Sequence, residues 1–441
     1  MQQFCSSMRT SIRISLAFAV TALLLGGCGK DNPDVPQLAD YTVIIYGMAG
    51  GAIDNYIEDI WEETQTWLPD GKIRVLALNK YGAESESFAG KYGAPGEVLS
   101  FELDKDTKFD SLHQEGADGK DFKLYDPANL MALLNRAKNE LPAKEYVLVL
   151  YGHGGGFNAY TDYPKTKGVL SDELLNRETM NMYELSTAIG KSDVKHLKCI
   201  LFNNCLMGGM ESLMEVAPYA DYFMATPFML TSEENPLIPI LVKNLREKAD
   251  FETAARQTLV ESEDRLFEGY TKEGVPFNGN VELVKSSELN AVCDAAGKLV
   301  TRLMELYPTQ QMKIDAASCK VYQFYKHYPY FDLLDYAGKL SGETGDAQLT
   351  NIYNQMTEAF GRAILQEVNI DLGVLPTLPF YSMSVVLVDH KYYHNPAEGR
   401  NYDYQESYQL TSFHHLTGWG NWLDTNLCMP ENNPCGQLEL E

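Results

Sequence analysis

Strand-like and helix-like segments alternate along the first half of the chain. Six apolar or β-branched runs predict strands, at residues 41–47, 72–78, 97–103, 145–152, 198–204 and 221–226. The segments between them, such as residues 53–68 and 127–141, carry apolar residues at helical spacing. Strands that are apolar along their whole length are buried on both faces, and their alternation with helices is typical of a mostly parallel sheet. The pattern therefore predicts an α/β fold with helices on both sides of the sheet.

The second half of the chain has a less regular pattern. It predicts strands at residues 279–286 and 380–388, and helices at residues 288–306, 346–367 and 408–425. We interpret residues 41–270 as a catalytic domain and residues 271–441 as a C-terminal α+β region packed on it.

The N-terminus carries a short apolar run behind two arginines. Residues 14–27 are 14 residues long, which is too short to span a bilayer and is typical of a secretory signal. The run ends in Leu-Leu-Gly-Gly-Cys, which resembles the lipobox of bacterial lipoproteins. This resemblance implies cleavage of residues 1–27, lipid on Cys28 and a tether over residues 28–40. A plain signal peptide ahead of a cysteine is the alternative.

The charge of the chain limits the classes of partner. Its formal net charge is −25, so phosphate backbones and anionic membrane surfaces repel it. We expect no nucleic-acid partner. Attachment to a membrane would therefore come from the lipid and not from a basic surface. This implies a lipid-anchored protein of the bacterial cell envelope. It would be attached to the outer membrane and either periplasmic or exposed at the cell surface.

Two of the predicted strands end at a reactive side chain among glycines. His153 follows residues 145–152 in Val-Leu-Val-Leu-Tyr-Gly-His-Gly-Gly-Gly-Phe, and Cys205 follows residues 198–204 in Cys-Ile-Leu-Phe-Asn-Asn-Cys-Leu-Met-Gly-Gly. Because function gathers outside the carboxyl ends of parallel strands, both side chains are expected at one edge of the sheet. A His-Gly-Gly-Gly segment also occurs in serine hydrolases, but these need Gly-x-Ser-x-Gly. The only Gly-x-Ser is at residues 190–192 and has Val194 in the fifth position.

The histidine and the cysteine together predict a thiol peptidase. His153 lies 52 residues before Cys205, which is the order and the spacing of about 50 residues found in caspases. An imidazolium stabilises a thiolate, and the thiolate attacks a carbonyl carbon. The amides of Gly154 and Cys205 are the candidates for the oxyanion hole. The alternative is a core cysteine and a hydrogen-bonded loop histidine without chemistry.

Three segments, at residues 41–50, 147–156 and 200–212, resemble the clostripain family of cysteine peptidases. The resemblance covers most of residues 41–423, and the His-Gly-Gly and Cys-Leu-Met-Gly segments are its specific part. It implies a caspase-like three-layer α/β/α sandwich, a His153–Cys205 dyad and endopeptidase activity on peptides or proteins.

The sequence departs from this family two residues before the cysteine. The family often has an aspartate there, which pairs with Arg or Lys of the substrate, whereas this chain has Asn203. An amide carries no charge to offset the desolvation of a cation, so we expect Asn203 to line the substrate pocket without a strong preference for basic residues. A structural residue that satisfies the end of the strand is the alternative. Relatives process themselves at basic residues in the loop before the cysteine. The candidates in this chain are Lys165, Lys167 and Arg177.

The sequence predicts no cofactor and no metal site. His390 and His394 need not share a face, and His414 and His415 are neighbours that point in different directions on a helix. Some clostripain relatives require calcium, and the acid pair at residues 233–234 could bind it, although such pairs are usually solvated.

Cys428 and Cys435 could form a disulfide in an oxidising envelope, and two unpaired cysteines are the equal alternative. Two further hypotheses for the function stay open. One is a non-catalytic surface lipoprotein that binds peptide or glycan, and the other is acyl transfer through the same thioester.

Overall fold

A mixed sheet of eight strands forms the centre of the fold. The computed structural model describes residues 38–48, 50–82, 97–108, 121–157, 168–274, 278–325, 329–373, 377–387 and 408–427. The strands of the sheet are β1 (Ala39–Met48), β2 (Ile73–Lys80), β3 (Val98–Leu103), β4 (Ala143–Tyr151), β7 (Leu197–Asn203), β8 (Ala220–Ala225), β9 (Gly279–Lys285) and β11 (Ile364–Ile370). Their order across the sheet is β11-β9-β8-β7-β4-β1-β2-β3. Neighbouring strands from β8 to β2 are parallel, while β3, β9 and β11 are antiparallel to their neighbours.

Helices cover both faces of this sheet, because alternate residues of the central strands point to opposite sides and both sets are apolar. Leu148 and Leu150 of β4 belong to one core, and Val147 and Val149 belong to the other. The helices on the first face are α2 (Pro127–Glu140), α3 (Met182–Lys191), α4 (Met210–Val216), α7 (Leu289–Ser318), α8 (Leu333–Thr344), α9 (Ala347–Ala363), α10 (Ser412–Thr417) and α11 (Trp419–Leu427). The helices on the second face are α1 (Ile57–Gln65), α5 (Leu237–Glu247) and α6 (Phe251–Glu273). The predicted three-layer α/β/α class with a mostly parallel sheet is confirmed.

Two small antiparallel pairs of strands lie outside the main sheet. Strand β5 (Val169–Asp172) pairs with β6 (Glu178–Met180), and β10 (Tyr330–Asp332) pairs with β12 (Ser384–Val386). The first pair is a hairpin between β4 and β7. The second pair joins strands on either side of β11, and Ser384 also forms a bridge with Gly209 in the segment after β7.

The C-terminal third differs from its predicted elements. The helix expected at residues 346–367 ends at Ala363, and residues 364–370 form strand β11 on the edge of the main sheet. Val368 and Ile370 alternate with polar residues and lie in the hydrophobic core of the second face. This two-residue spacing is typical of a strand, whereas the residues before it follow the helical spacing. The expected strand at residues 380–388 is reduced to β12. The single helix expected at residues 408–425 is α10 and α11, separated at Gly418, whose φ is +70°. The assignment of residues 271–441 to a C-terminal region stays a prediction.

A buried carboxyl group ties this C-terminal part to α4. Glu211 of α4 is fully buried and accepts hydrogen bonds from the Val386 backbone N–H at 2.9 Å and from the Tyr408 hydroxyl at 2.6 Å. Burial raises the pKa of Glu211 to about 7, against the effect of these two donors. These two hydrogen bonds therefore hold α4, which follows β7, against the C-terminal part of the chain.

The cysteines of the described residues fall into two groups. Cys199, Cys205 and Cys293 are free thiols. Cys319 is disulfide-bonded, and its partner lies outside the described residues. Cys28, Cys428 and Cys435 also lie outside them, so the predicted pairing of the last two stays a prediction.

Within the part of the chain that the structure describes, no helix has the length and apolar character needed to span a membrane.

Candidate active site

The carboxyl ends of β4 and β7 lie side by side in the middle of the sheet. Tyr151, the last residue of β4, is opposite Asn203, the last residue of β7. The loops that carry His153 and Cys205 therefore leave the sheet from neighbouring strands at the same edge, as the strand pattern predicts.

The loop that carries the histidine is held on the β5–β6 hairpin. The His153 carbonyl accepts a hydrogen bond from the Leu170 N–H at 3.0 Å, and the Gly155 N–H donates to the Gly168 carbonyl at 3.0 Å. These two bonds form an isolated bridge between Gly154 and Val169. The His153 side chain itself is 43% exposed. The ring is therefore accessible to solvent, although the backbone that carries it is held by hydrogen bonds.

The loop that carries the cysteine is bonded to the histidine loop on one side and to the segment after β8 on the other. The Asn204 side-chain amide donates to the Gly152 carbonyl at 2.8 Å and to the His153 carbonyl at 3.4 Å. The Leu206 N–H donates to the Phe228 carbonyl at 2.7 Å. Leu206 has a φ of +62°, a left-handed conformation that costs a bulky residue about 1–3 kcal/mol. Strain of this kind persists only where the surrounding bonds hold it, and here they hold the turn directly after Cys205.

The two loops touch through their backbones at Gly154. A Cβ atom on Gly154 would lie 2.4 Å from the Cys205 carbonyl oxygen and 2.7 Å from the Asn204 Cβ. Both distances are shorter than any normal contact, so only glycine allows this approach. The position of the histidine loop relative to the cysteine therefore depends on the missing side chain at residue 154.

Among the described residues, the two predicted oxyanion amides make no backbone hydrogen bond to another residue. The bridge between Gly154 and Val169 uses the Gly155 N–H and the His153 carbonyl, and leaves the Gly154 N–H unused. The Cys205 N–H likewise donates to no backbone carbonyl of another described residue. Unpaired N–H groups on adjoining backbones are the kind of donors that stabilise a developing oxyanion.

The Cys205 thiol lies in a half-buried setting that disfavours its charge. The Leu230 N–H donates to the Cys205 Sγ at 3.3 Å. Burial raises the pKa of Cys205 to about 11, the Leu230 N–H opposes this, and the charge of Glu273 adds to it. A nucleophilic thiolate at neutral pH therefore needs a cation beside it.

Two carboxylates that the sequence does not indicate lie near this site. Glu273 at the end of α6 accepts hydrogen bonds from the Ser232 N–H at 2.8 Å and the Glu233 N–H at 3.0 Å, in the segment after Leu230. Glu173, at the end of β5, lies with Oε1 3.6 Å from the His153 Nε2. Neither was predicted as a site residue, because single carboxylates in polar segments carry no sequence signal.

Asn203 is a buried residue with an unused acceptor. The residue is 6% exposed, and its Oδ1 has no hydrogen-bond partner among the described residues. Buried amide oxygens are normally paired, so an unpaired one beside a candidate nucleophile suits a group that arrives with the substrate.

The remaining predicted residues are only partly described. Lys165, Lys167, His390 and His394 lie outside the described residues. Arg177 is exposed, with a φ of +57°, and its Nη2 lies 3.7 Å from the Glu173 Oε1.

The other candidate metal ligands of the sequence have structural roles. The His414 Nδ1 accepts a hydrogen bond from the Gly420 N–H, and Glu234 pairs with Lys272 at 2.7 Å. No group of three or more metal-binding side chains occurs in the described ranges. The possibility that residues 233–234 bind calcium thus gains no support from the described residues.

An α/β sheet with a histidine loop and a cysteine loop in contact at one edge is the arrangement expected of a cysteine peptidase of caspase-like fold. The sequence profile of the Clostripain family, peptidase family C11, matches residues 97–426. The chain therefore belongs to the clostripain family of cysteine peptidases, whose chemistry needs no cofactor. No curated protein sequence matches the chain.

Solved structures support the same fold. A secreted C11 cysteine protease from Bacteroides thetaiotaomicron, in complex with an irreversible peptide inhibitor, is 17% identical and has a TM-score of 0.60, over 86% of this chain and 99% of that one. An inactive zymogen C11 protease from Parabacteroides distasonis is 16% identical and has a TM-score of 0.58, over 87% of this chain and 99% of that one. At these identities the likeness establishes the fold alone.

The close contact at Gly154 can be tested by substitution with alanine, with a second glycine of the same chain as the control. We expect Gly154→Ala to lower kcat/KM for peptide hydrolysis by about 100-fold, because a displacement of about 1 Å of a reacting group has that effect. Gly342→Ala is the matched control, since a Cβ on Gly342 of α8 meets nothing within 4 Å. The control should keep full activity in a fluorogenic peptide assay. Equal activity of the two variants would contradict a tight contact at residue 154.

Proposed function

We propose that this protein is an endopeptidase with Cys205 as its nucleophile and His153 as its general base and acid. The observation that carries the proposal is the backbone contact between Gly154 and Cys205, where a Cβ on residue 154 would be 2.4 Å from the Cys205 carbonyl oxygen. The histidine loop is fixed by this contact and by the Asn204 side chain, so the imidazole and the thiol belong to adjoining loops, as a general base and its nucleophile require.

The proposed reaction runs through a thioester. His153 takes the proton of the Cys205 thiol, and the thiolate attacks the carbonyl carbon of the peptide bond. As the C–S bond forms, the π electrons of the carbonyl move to its oxygen. The adduct then collapses, the C–N bond breaks, and the imidazolium gives its proton to the leaving amine. A water molecule, deprotonated by His153, then displaces the thiolate and releases the acid product.

The electrostatic setting explains why the reaction needs both side chains. Burial, with Glu273 as a further contribution, raises the pKa of the Cys205 thiol to about 11, so the thiol alone stays protonated at neutral pH. A neighbouring imidazolium offsets the negative charge of the thiolate. The N–H groups of Gly154 and Cys205 are the proposed donors to the oxyanion, and in the described residues neither donates to the backbone of another residue.

The dyad is tested by removing each member. We expect Cys205→Ala and His153→Ala each to lower kcat by about 10⁴-fold or more, because nucleophile and base act as a unit. His415→Ala, a change at an exposed histidine of α10, should leave the rate unchanged. A peptidyl electrophile should label the wild-type protein at Cys205 only. If the wild-type protein cleaves no peptide of a mixed library and Cys205 stays unlabelled, the non-catalytic binding hypothesis replaces this one.

We further propose that Asn203 lines the pocket for the substrate side chain next to the cleaved bond. Its buried and unpaired Oδ1 supports this role, and an amide favours uncharged or neutral polar side chains over cations.

Asn203→Asp tests the role of this pocket. We expect the variant to gain at least about 10-fold in cleavage after Arg or Lys relative to wild type, since a charge-assisted hydrogen bond is roughly twice as strong as a neutral one. Profiling both proteins on one peptide library measures the change. Efficient cleavage after arginine by the wild-type protein would contradict the role of Asn203. Glu273 or Glu233 would then be the candidate partner of the arginine side chain.

We also propose that the protein is anchored in the bacterial envelope by lipid on Cys28, and that self-processing, where it occurs, uses Lys165, Lys167 or Arg177. The apolar run and the Leu-Leu-Gly-Gly-Cys segment support the anchor. The disulfide at Cys319 supports an oxidising compartment.

Mass spectrometry of the chain produced in a lipoprotein-processing bacterium tests this anchor. We expect an N-terminal Cys28 that carries acyl chains, and fractionation with the membrane. The Cys28→Ser variant should lose both. An unmodified N-terminus at another residue would contradict the anchor without affecting the dyad.

A further inference from the structure

We propose that Glu173 is a positioning residue for His153, and that the buried Lys80–Asp172 ion pair fixes Glu173 in this place. The inference rests on the proposed role of His153, and it adds a third member to the site that the sequence analysis does not assign. It is carried by three observations: the contact of Glu173 with the ring, the anchoring of the residue before it, and the bonds between its hairpin and the histidine loop.

The contact is made with one particular nitrogen of the ring. Glu173 Oε1 lies 3.6 Å from His153 Nε2, and the Glu173 side chain is 21% exposed. The interaction with His153 lowers the pKa of Glu173, whereas the partial burial of the carboxylate acts in the opposite direction. A carboxylate on Nε2 leaves Nδ1 free for proton exchange with the thiol and the leaving amine. A distance slightly longer than a hydrogen bond is common in a resting site and shortens when substrate binds.

The place of Glu173 is set by the preceding residue. The Asp172 Oδ2 accepts a hydrogen bond from the Lys80 Nζ at 2.7 Å, and both side chains are 0% exposed. Lys80 is the last residue of β2, and its Nζ also donates to the Phe122 carbonyl at 2.7 Å. The Arg177 N–H donates to the Asp172 carbonyl at 2.9 Å and closes the turn that contains Glu173. A pair so deeply buried gains little net stability from its charges, so we interpret it as a device that fixes one position of the hairpin on the sheet.

The hairpin and the histidine loop are hydrogen-bonded to each other. The Leu170 N–H donates to the His153 carbonyl, and the Gly155 N–H donates to the Gly168 carbonyl, both at 3.0 Å. Glu173 follows β5 directly. The backbones that carry the Glu173 carboxylate and the His153 ring are thus joined by these two bonds.

Two other charged groups face this pair, and neither can replace Glu173. Asp54 is buried, and its two oxygens accept the Gly50 N–H at 3.1 Å and the Gly82 N–H at 2.6 Å. Burial raises the pKa of Asp54 to about 7, with His153 lowering it and Glu173 raising it. Arg177 competes for Glu173 from 3.7 Å, but its side chain is 57% exposed, so solvent screens the interaction.

The test measures the ring directly and needs no activity. In a Cys205→Ala background, which removes catalysis and self-cleavage, the titration of the His153 ring is followed by NMR with labelled histidine. Since a carboxylate 3.6 Å from Nε2 favours the protonated ring, Glu173→Gln should move the measured midpoint down by about half a pH unit or more, as expected for charges about 4 Å apart. Arg177→Gln, the matched change on the same hairpin, should leave the midpoint unchanged or move it up. Circular dichroism of each variant verifies that it folds.

The same substitution in the active protein gives the second readout. Glu173→Gln should lower kcat by about 10-fold or more with little change in KM, because positioning partners of this kind typically contribute 10- to 100-fold. The alkaline limb of the pH–rate profile should move to lower pH, since the protonated ring is lost earlier. A purely structural role of Glu173 would change stability without moving this limb.

The outcomes separate this proposal from the proposed function. A midpoint that stays within experimental error after Glu173→Gln overturns the role of Glu173, even if Cys205 and His153 prove essential. A shifted midpoint in a protein that cleaves nothing supports Glu173 as the partner of His153 and removes the peptidase proposal.

Discussion

The close approach of two backbones at Gly154 is the constraint on which the site depends. A side chain at this residue would overlap the Cys205 carbonyl oxygen at 2.4 Å, so the histidine loop reaches the cysteine loop only because residue 154 has none. The Asn204 amide, bonded to the Gly152 carbonyl, closes the same junction from the other side. The remaining bonds of the region, from the β5–β6 hairpin and from the segment after β8, hold the two loops against each other. Even the left-handed backbone of Leu206 is accounted for by this arrangement, because strain persists where the neighbours fix it.

The electrostatics of the site follow from its position at a half-buried edge. Burial and the charge of Glu273 favour the neutral thiol of Cys205, so the proposed reaction depends on a cation beside the sulfur. His153 is the proposed cation, and the carboxylate of Glu173 lies 3.6 Å from its Nε2. In this proposal one carboxylate disfavours the thiolate, and another favours the cation that stabilises it.

Much of this organisation could be predicted from the sequence, for a definite physical reason. His153 and Cys205 each end a continuous apolar strand, and parallel neighbouring strands bring their carboxyl ends to one edge. The role of Gly154 was only partly predicted. The sequence indicates its amide as an oxyanion donor, whereas the structure shows that its missing side chain also makes room for the Cys205 backbone.

The parts that could not be predicted depend on long-range packing. Strand β11 follows α9 without a break, so the helical spacing of residues 347–363 conceals the change of period at Ile364. Lys80 and Asp172 are 92 residues apart, and nothing local in either segment marks them as a pair. Glu173 lies in a polar stretch where acids are common. Its role depends on a ring brought close by the bridge between Gly154 and Val169.

The most direct measurement of the central claim is a crystal structure of the mature protein after reaction with a peptidyl electrophile. The account predicts a covalent bond to the Cys205 sulfur, with the oxygen of the adduct within hydrogen-bond distance of the Gly154 and Cys205 amides. The His153 ring should lie between that adduct and Glu173. An adduct on another side chain, or an oxygen held by other donors while the Gly154 amide stays unpaired, would contradict it.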